Sequence, residues 1–292
     1  MNATPSKLKA FAELGRISNM PTCLTNVMVG CSIDTVGETL DWNRTLSVTL
    51  AVALLYTGGM AMNDVFDEGV DRRERPERPI PSGRIGRSSA IVFMVLCLIA
   101  GLMILGWFGG PTLYLGLLLL GLITCYNAIH KQVSGSFVLM GACRATVYAV
   151  AASTVMWPPV WWFVIGFGVT IFIYTSMITI IARSENQKHL GRQRGLAWVM
   201  PLLFIPPLIL PSYLNSILIL IAFVVGIAWM LRAVRFVWRV PPMTKEAVLT
   251  WLSGMCLLDA FFLSLMDQPI LFGLAVACFV LTHFGHRKIL GT

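Results

Sequence analysis

Ten apolar stretches, each close to the ~20 residues that a helix needs to cross a bilayer, run along this 292-residue chain. They lie near residues 18–33, 46–63, 88–108, 112–129, 136–156, 159–182, 195–210, 214–234, 246–265 and 269–286. Gly, Pro and charged residues separate them. Apolar residues make up 57% of the chain and charged residues 12%, which excludes a soluble domain with a large core. The expected fold is all-α, a polytopic bundle of membrane helices. The seventh stretch is short and rich in proline (Pro201, Pro206, Pro207), so its limits are poorly defined. The last two are divided only by Met266-Asp267-Gln268-Pro269, a turn signal.

The net charge of +8 raises nucleic acid as a partner, and its distribution argues against it. With Met1 on the cytoplasmic side, only Arg44 of the 22 basic residues falls in an outer loop, and Arg144 lies within a span. The rest, from Lys7 and Lys9 through Arg72–Arg87, Lys131 and Arg183–Arg194 to Arg287 and Lys288, fall on the inner side. Lys and Arg concentrate on the cytoplasmic face of membrane proteins. The expectation is an integral protein of a bacterial cytoplasmic membrane, with the N-terminus and the functional loops cytoplasmic. The partners are the lipid bilayer and small molecules, not nucleic acid. Residues 1–15 lack the basic, apolar, small-residue order of a cleaved signal. Seven scattered cysteines form no C-x-x-C pair and read as small buried hydrophobes.

The second span runs into Asn63-Asp64-Val65-Phe66-Asp67-Glu68-Gly69-Val70-Asp71, followed by Arg78-Pro79-Ile80-Pro81-Ser82-Gly83. At about 100° per residue, Asp64, Asp67 and Asp71 share one helix face. Three neighbouring carboxylates repel one another unless a cation stands among them. Oxygen-only ligands, with Asn63 at the edge of the face, suit Mg²⁺, which commonly shares its coordination with substrate phosphates. Arg72, Arg73, Arg75 and Arg78 supply forked donors for phosphate oxygens. Two readings fit the spacing: a metal and diphosphate site at the membrane edge, or a solvated loop of mixed charge.

The motif N-D-x-x-D-x-x-x-D with R-P-[IL]-x-x-G resembles the first signature of the UbiA superfamily of intramembrane prenyltransferases. Asn63, Asp64, Asp67, Asp71, Arg78, Pro79, Ile80 and Gly83 match it. The resemblance implies one UbiA-like transmembrane domain over residues 1–292, with nine core helices. The tenth C-terminal segment is then an addition or a half-crossing. It implies Mg²⁺ on Asn63, Asp64, Asp67 and Asp71, catalytic roles for Asp64, Asp67, Lys131 and Tyr174, and loops after helices two and six that cap the site. Prenyl diphosphate is the implied donor, and a small acceptor takes the prenyl group after the diphosphate ionises.

Substrate contacts are expected at Asn19, Arg72, Arg78, Tyr126, Arg144, Arg183, Glu185 and Lys188. Asn19 and Asn26 are seven apart and share a helix face, where they line a cavity or bond across helices. Lys131 meets the diphosphate or snorkels to the interface. Arg144, inside a span, must face a wet cavity or a partner such as Asp259. It holds diphosphate, an acidic or hydroxylated acceptor, or a structural pair. Phe66, Tyr126 and Tyr174 offer aromatic faces to an allylic cation or simply pack. His130 and His189 read as solvated loop residues. Trp157, Trp161 and Trp162 read as an interfacial aromatic belt.

The second aspartate-rich motif of the family has no counterpart here. No aspartate lies between Asp71 and Asp259, and the matching region reads Arg183-Ser184-Glu185-Asn186-Gln187-Lys188. Either Arg183 and Lys188 neutralise phosphate charge in place of a second metal, or Glu185 holds metal through fewer contacts, or activity is lost. The Arg183-x-Glu185 string, with Arg144 and the Arg16-to-Thr22 start, is similar to the EboC-like branch. The rival to an enzyme is a binder of lipid diphosphate, or a metabolite transporter, on the same scaffold.

Overall fold

The computed structural model describes residues 7–33, 39–184, 191, 193–209 and 217–288. Within them every regular element is helical. A short α1 (Lys7–Leu14) leads through one 3₁₀ turn into α2 (Met20–Ser32). Then come α3 (Trp42–Glu74), α4 (Arg87–Trp107), α5 (Gly110–Ile129), α6 (Phe137–Ser153) and α7 (Trp161–Ala182). Two single turns, α8 (Gln193–Leu196) and α9 (Val199–Leu202), precede α10 (Ile217–Val237), α11 (Thr244–Leu265) and α12 (Pro269–Lys288). Among the described residues, eight helices are long and apolar enough to cross a membrane: α3, α4, α5, α6 with its leading turn, α7, α10, α11 and α12.

Two expected spans are not long helices. The first is divided between the 3₁₀ turn Ile17–Asn19 and α2, whose 13 residues rise about 20 Å. The seventh breaks into α8, α9 and a 3₁₀ turn Pro206–Ile209, because Pro201, Pro206 and Pro207 each remove a backbone donor.

Hydrophobic burial decides which helices lie inside. On α11, Trp251, Phe261 and Phe262 are all fully buried, and the helix packs against α2, α7, α10 and α12. On α4, Val92, Leu96, Ile99 and Met103 are spaced as one helix stripe and stay exposed, which is the surface a helix offers to lipid. Trp107, Trp157, Trp161 and Trp162 are also exposed, near the ends of α4 and α7. α2 sits among α3, α6, α11 and α12, and its glycine permits the close approach. A Cβ on Gly30 would fall 2.5 Å from Ala151 Cβ and 2.8 Å from the Tyr148 carbonyl of α6.

Candidate active site

α3 does not end where its apolar run ends. It continues helical through Glu74, so the whole Asn63–Asp71 motif is helix, as the shared face of Asp64, Asp67 and Asp71 requires, and the apolar span expected near 46–63 is extended by about three turns. No breaker interrupts it until Pro76, which pushes Arg75 out of the helical region to φ −143°. The chain then turns back through Arg78–Gly83. The Ile85 amide donates to the Pro79 carbonyl at 3.0 Å, and Gly83 takes φ +73°, a conformation that disfavours a side chain. Ile80 and Ile85 plug into a cluster with Ala10, Leu14, Ala61, Val65 and Ala90. That anchor delivers the Arg78 guanidinium back onto α3.

There Arg78 Nη1 lies 3.2 Å from Asp64 Oδ1 and 2.6 Å from Asp71 Oδ2. Arg16, held at φ 47° before α2, brings Nη2 to 3.6 Å from Asp64 Oδ1. Asp67 faces the α5–α6 connection: Lys131 Nζ is 3.1 Å and His130 Nε2 3.3 Å from its Oδ2. Asn63 donates to Asn127 Oδ1 at 3.1 Å, and Asn127 donates in turn to the Gly59 carbonyl at 3.2 Å. Asn63, Asp67 and Asp71 line a cavity of about 740 Å³, while Asp64 sits behind Arg16 and Arg78. Arg16, Arg75, Arg78, Lys131 and Arg183 also line it. Deeper in, Met60, Met140, Ile178, Leu252 and Met255 make apolar walls around Asn19, Tyr56 and Arg144. A second, apolar pocket lined by Cys23, Val52, Leu119, Ile123 and Val147 adjoins it and shares Tyr56, Met60, Tyr126, Met140 and Arg144.

The expected site residues divide. Asn63, Asp67, Asp71, Arg78, Lys131, Tyr126, Asn19, Arg144 and Arg183 come together on one cavity, with Asp64 directly behind it. Arg72 does not. It points away, 2.8 Å from Glu68 Oε1, with its side chain 68% exposed, because position 72 lies on the opposite face of α3. Tyr174 does not either. It is fully buried and donates to the Trp251 carbonyl at 2.7 Å, so its hydroxyl is spent on α11. Phe66 is exposed on the outside of α3. Arg183 is at the mouth, yet its guanidinium donates to the His130 carbonyl at 2.9 Å and to the Ser134 carbonyl and the Ser136 hydroxyl. It clamps the loop that carries His130 and Lys131. Glu185, Lys188 and His189 lie outside the described residues.

His130, read from sequence as a solvated loop residue, instead pairs with Asp67 and stacks on Tyr126 at 5.1 Å between ring centroids. Arg75, expected with its neighbours as a phosphate donor, lines the cavity, whereas sequence reasoning passed over Asn127, one residue after Tyr126. The neighbourhood of Asn127 to Lys131 at the helix end was the available signal.

The donor set is chemically suited to Mg²⁺. Asn63, Asp67 and Asp71, side chains with hard oxygens, line the cavity, and Asp64 stands beside them. Among the described residues no three acidic, His or Cys side chains converge on one point. Here the guanidinium of Arg78 stands between Asp64 and Asp71, in the place a cation would take. Arg16, Arg78 and Lys131 leave the carboxylates paired instead of repelling.

Comparison with known proteins bears on the family and the fold. Residues 26–266 match the model of the UbiA prenyltransferase family. A 94-residue stretch is 40% identical to the digeranylgeranylglyceryl phosphate synthase of Methanopyrus kandleri, over 32% of this chain and 34% of that protein. A 113-residue stretch is 36% identical to the enzyme of the same name from Methanothrix thermoacetophila, over 35% of this chain and 42% of that protein. The chain thus spans about a third to two-fifths of the length of these curated relatives, which are archaeal. Among solved structures, a UbiA homologue from Aeropyrum pernix K1 aligns with TM-score 0.65 at 16% identity, over 85% of this chain and 97% of that one. A UbiA homologue from Archaeoglobus fulgidus, bound to DMAPP and Mg²⁺, aligns with TM-score 0.63 at 13% identity, over 88% and 99%. These likenesses establish a shared fold, and with the family match over residues 26–266 the chain belongs to the UbiA prenyltransferase family.

Proposed function

We propose that the chain transfers a prenyl group from an allylic prenyl diphosphate to a small acceptor at the mouth of this cavity. One observation carries the reading: carboxylates and basic side chains meet at the entrance of a cavity whose deeper walls are apolar. Arg78 and Lys131 supply charge-assisted donors to diphosphate oxygens. Mg²⁺, held by Asp67 and Asp71 with Asn63 and Asp64, would offset the negative charge that grows on the leaving diphosphate. Such stabilisation is larger in the transition state than in the ground state and so accelerates ionisation. The rings of Tyr126 and Tyr56 offer negative faces to an allylic cation. Met60, Met140 and the adjoining apolar pocket keep water from it and take the first part of the chain.

For the acceptor we propose a glyceryl phosphate ether, the class that the curated relatives' name implies. We prefer this to the EboC-like resemblance because the curated relatives carry the digeranylgeranylglyceryl phosphate synthase name. The positive bias of the loops supports a cytoplasmic mouth.

The test is binding of geranylgeranyl diphosphate to purified protein with and without Mg²⁺, followed by turnover with geranylgeranylglyceryl phosphate or 4-hydroxybenzoate. Metal-dependent binding that is lost in Asp67→Ala, with product from the glyceryl phosphate, is expected. Binding without any product would favour a non-catalytic lipid-diphosphate binder. No binding under either condition ends the diphosphate reading.

A further inference from the structure

Besides the arginines and lysine of the mouth, one more cation lines the cavity, beside its apolar walls. Arg144 lies on α6 where the polar cavity meets the apolar pocket, and it lines both. Its Nη1 donates to Asn26 Oδ1 at 2.8 Å and its Nη2 to Thr22 Oγ1 at 3.2 Å. Its guanidinium carbon is 5.5 Å from the centroid of the Tyr56 ring. Among the described residues, no carboxylate is within ion-pair distance of it.

A guanidinium can only donate, so it dictates how the Asn26 amide is turned: oxygen to Arg144, nitrogen away. That nitrogen donates to Asp259 Oδ2 at 2.8 Å. Asp259 is fully buried in the middle of α11 and also accepts from the hydroxyls of Thr25 and Tyr148. Every group in this chain of contacts has a matched partner. An ionised carboxylate inside a membrane bundle is expensive and persists only when paired and hydrogen-bonded. Glue between α2, α6 and α11 would not require a charge. The charge has one opposite nearby, and an amide separates the two. A direct ion pair would neutralise Arg144. The Asn26 spacer holds it in register while leaving its charge open to the cavity.

We propose that Asp259 is a positioning residue: through Asn26 it holds the Arg144 guanidinium beside the apolar walls of the cavity as the binding centre for an oxyanion of the acceptor. This centre is separate from the groups at the mouth that take the diphosphate. The inference rests on the transfer reaction proposed above and adds the chemical class that this centre recognises, a small acceptor bearing phosphate or carboxylate.

The experiment uses the full chain in lipid nanodiscs and compares Asp259→Asn, Arg144→Lys, the double variant and Tyr148→Phe. Two quantities are measured: the Kd for geranylgeranyl diphosphate with Mg²⁺, and the KM and kcat for geranylgeranylglyceryl phosphate. A hydrogen bond to a charged group is worth about tenfold or more in affinity. Asp259→Asn and Arg144→Lys are expected to raise the acceptor KM by roughly that factor, with the diphosphate Kd changed less than about twofold. The double variant should be no worse than Arg144→Lys alone, because the two residues act through one contact. Tyr148→Phe, which removes one donor to the carboxylate, should shift the acceptor KM in the same direction. It serves in place of Asp259→Asn should that variant fail to melt cooperatively.

An unchanged acceptor KM, an equal rise in both constants, or additive effects in the double variant would overturn the inference. A wild-type protein that binds the diphosphate but makes no product from either geranylgeranylglyceryl phosphate or 4-hydroxybenzoate overturns it too, and leaves the diphosphate site standing. A wild-type protein that does not bind the diphosphate removes the underlying reading itself.

Discussion

Asp67 is the residue on which two elements converge, and its neighbours determine what a substitution should do. It accepts from Lys131 and His130 and faces the cavity, whereas Asp64 is enclosed by Arg16 and Arg78. Asp67→Asn keeps the shape and removes the charge. Turnover with geranylgeranyl diphosphate should fall at least about a hundredfold while thermal stability changes little. Retained turnover would show that Asp67 holds no metal. Tyr174 makes the opposite case. Its hydroxyl serves α11, so Tyr174→Phe should cost about 1 kcal/mol of stability and leave kcat nearly intact. A large loss of kcat in a folded Tyr174→Phe protein would restore the catalytic role that the family resemblance implies. The shared face of Asp64, Asp67 and Asp71 was legible in the sequence because helical period is a local property. The pairing of Asp67 with His130 was not. It depends on the α5–α6 connection folding back onto α3, 63 residues away along the chain in the case of His130 (130 − 67). The spending of Arg183 on backbone carbonyls was hidden for the same reason: the charge is in the sequence, and the partner comes from another helix.

At the level of elements, helices were easier to foresee than the places where they touch. The apolar stretches announce α4, α5, α10 and α12 by length alone, and the three prolines near 201–207 announce a break. That α3 would run on past its motif to Glu74 was harder to see, because charge marks a membrane edge and says nothing of where a helix ends. Two glycines separate packing from exposure. Gly30→Ala would drive a methyl group into Ala151 and the Tyr148 carbonyl, forcing α2 and α6 apart. A loss of about 1–3 kcal/mol is expected, read as a lowered melting temperature in detergent. Gly69 lies inside the motif with nothing within 4 Å of where a Cβ would stand, so Gly69→Ala should gain up to about 1 kcal/mol from helix propensity and keep activity. A destabilised Gly69→Ala would mean that α3 is not helical through the motif.

On the scale of the whole molecule, α3 joins the two membrane faces. Its 33 residues rise about 50 Å, more than the hydrocarbon core requires, so its ends reach water on opposite sides. Asn43 is exposed at one end, and Ser82 is exposed in the turn that follows the other. We propose from the Lys and Arg bias that Ser82, and with it the cavity mouth, lies on the cytoplasmic side. A single cysteine reports this directly once Cys125, the exposed native cysteine, is changed to serine. In intact cells a membrane-impermeant maleimide should label Asn43→Cys, and should label Ser82→Cys only after the membrane is opened. The reverse pattern would place the mouth outside. It would also separate the site from a cytoplasmic supply of prenyl diphosphate, since a doubly charged headgroup does not cross the bilayer unaided. Orientation is therefore part of the functional argument, because the same cavity with its mouth outward would need a different source of substrate.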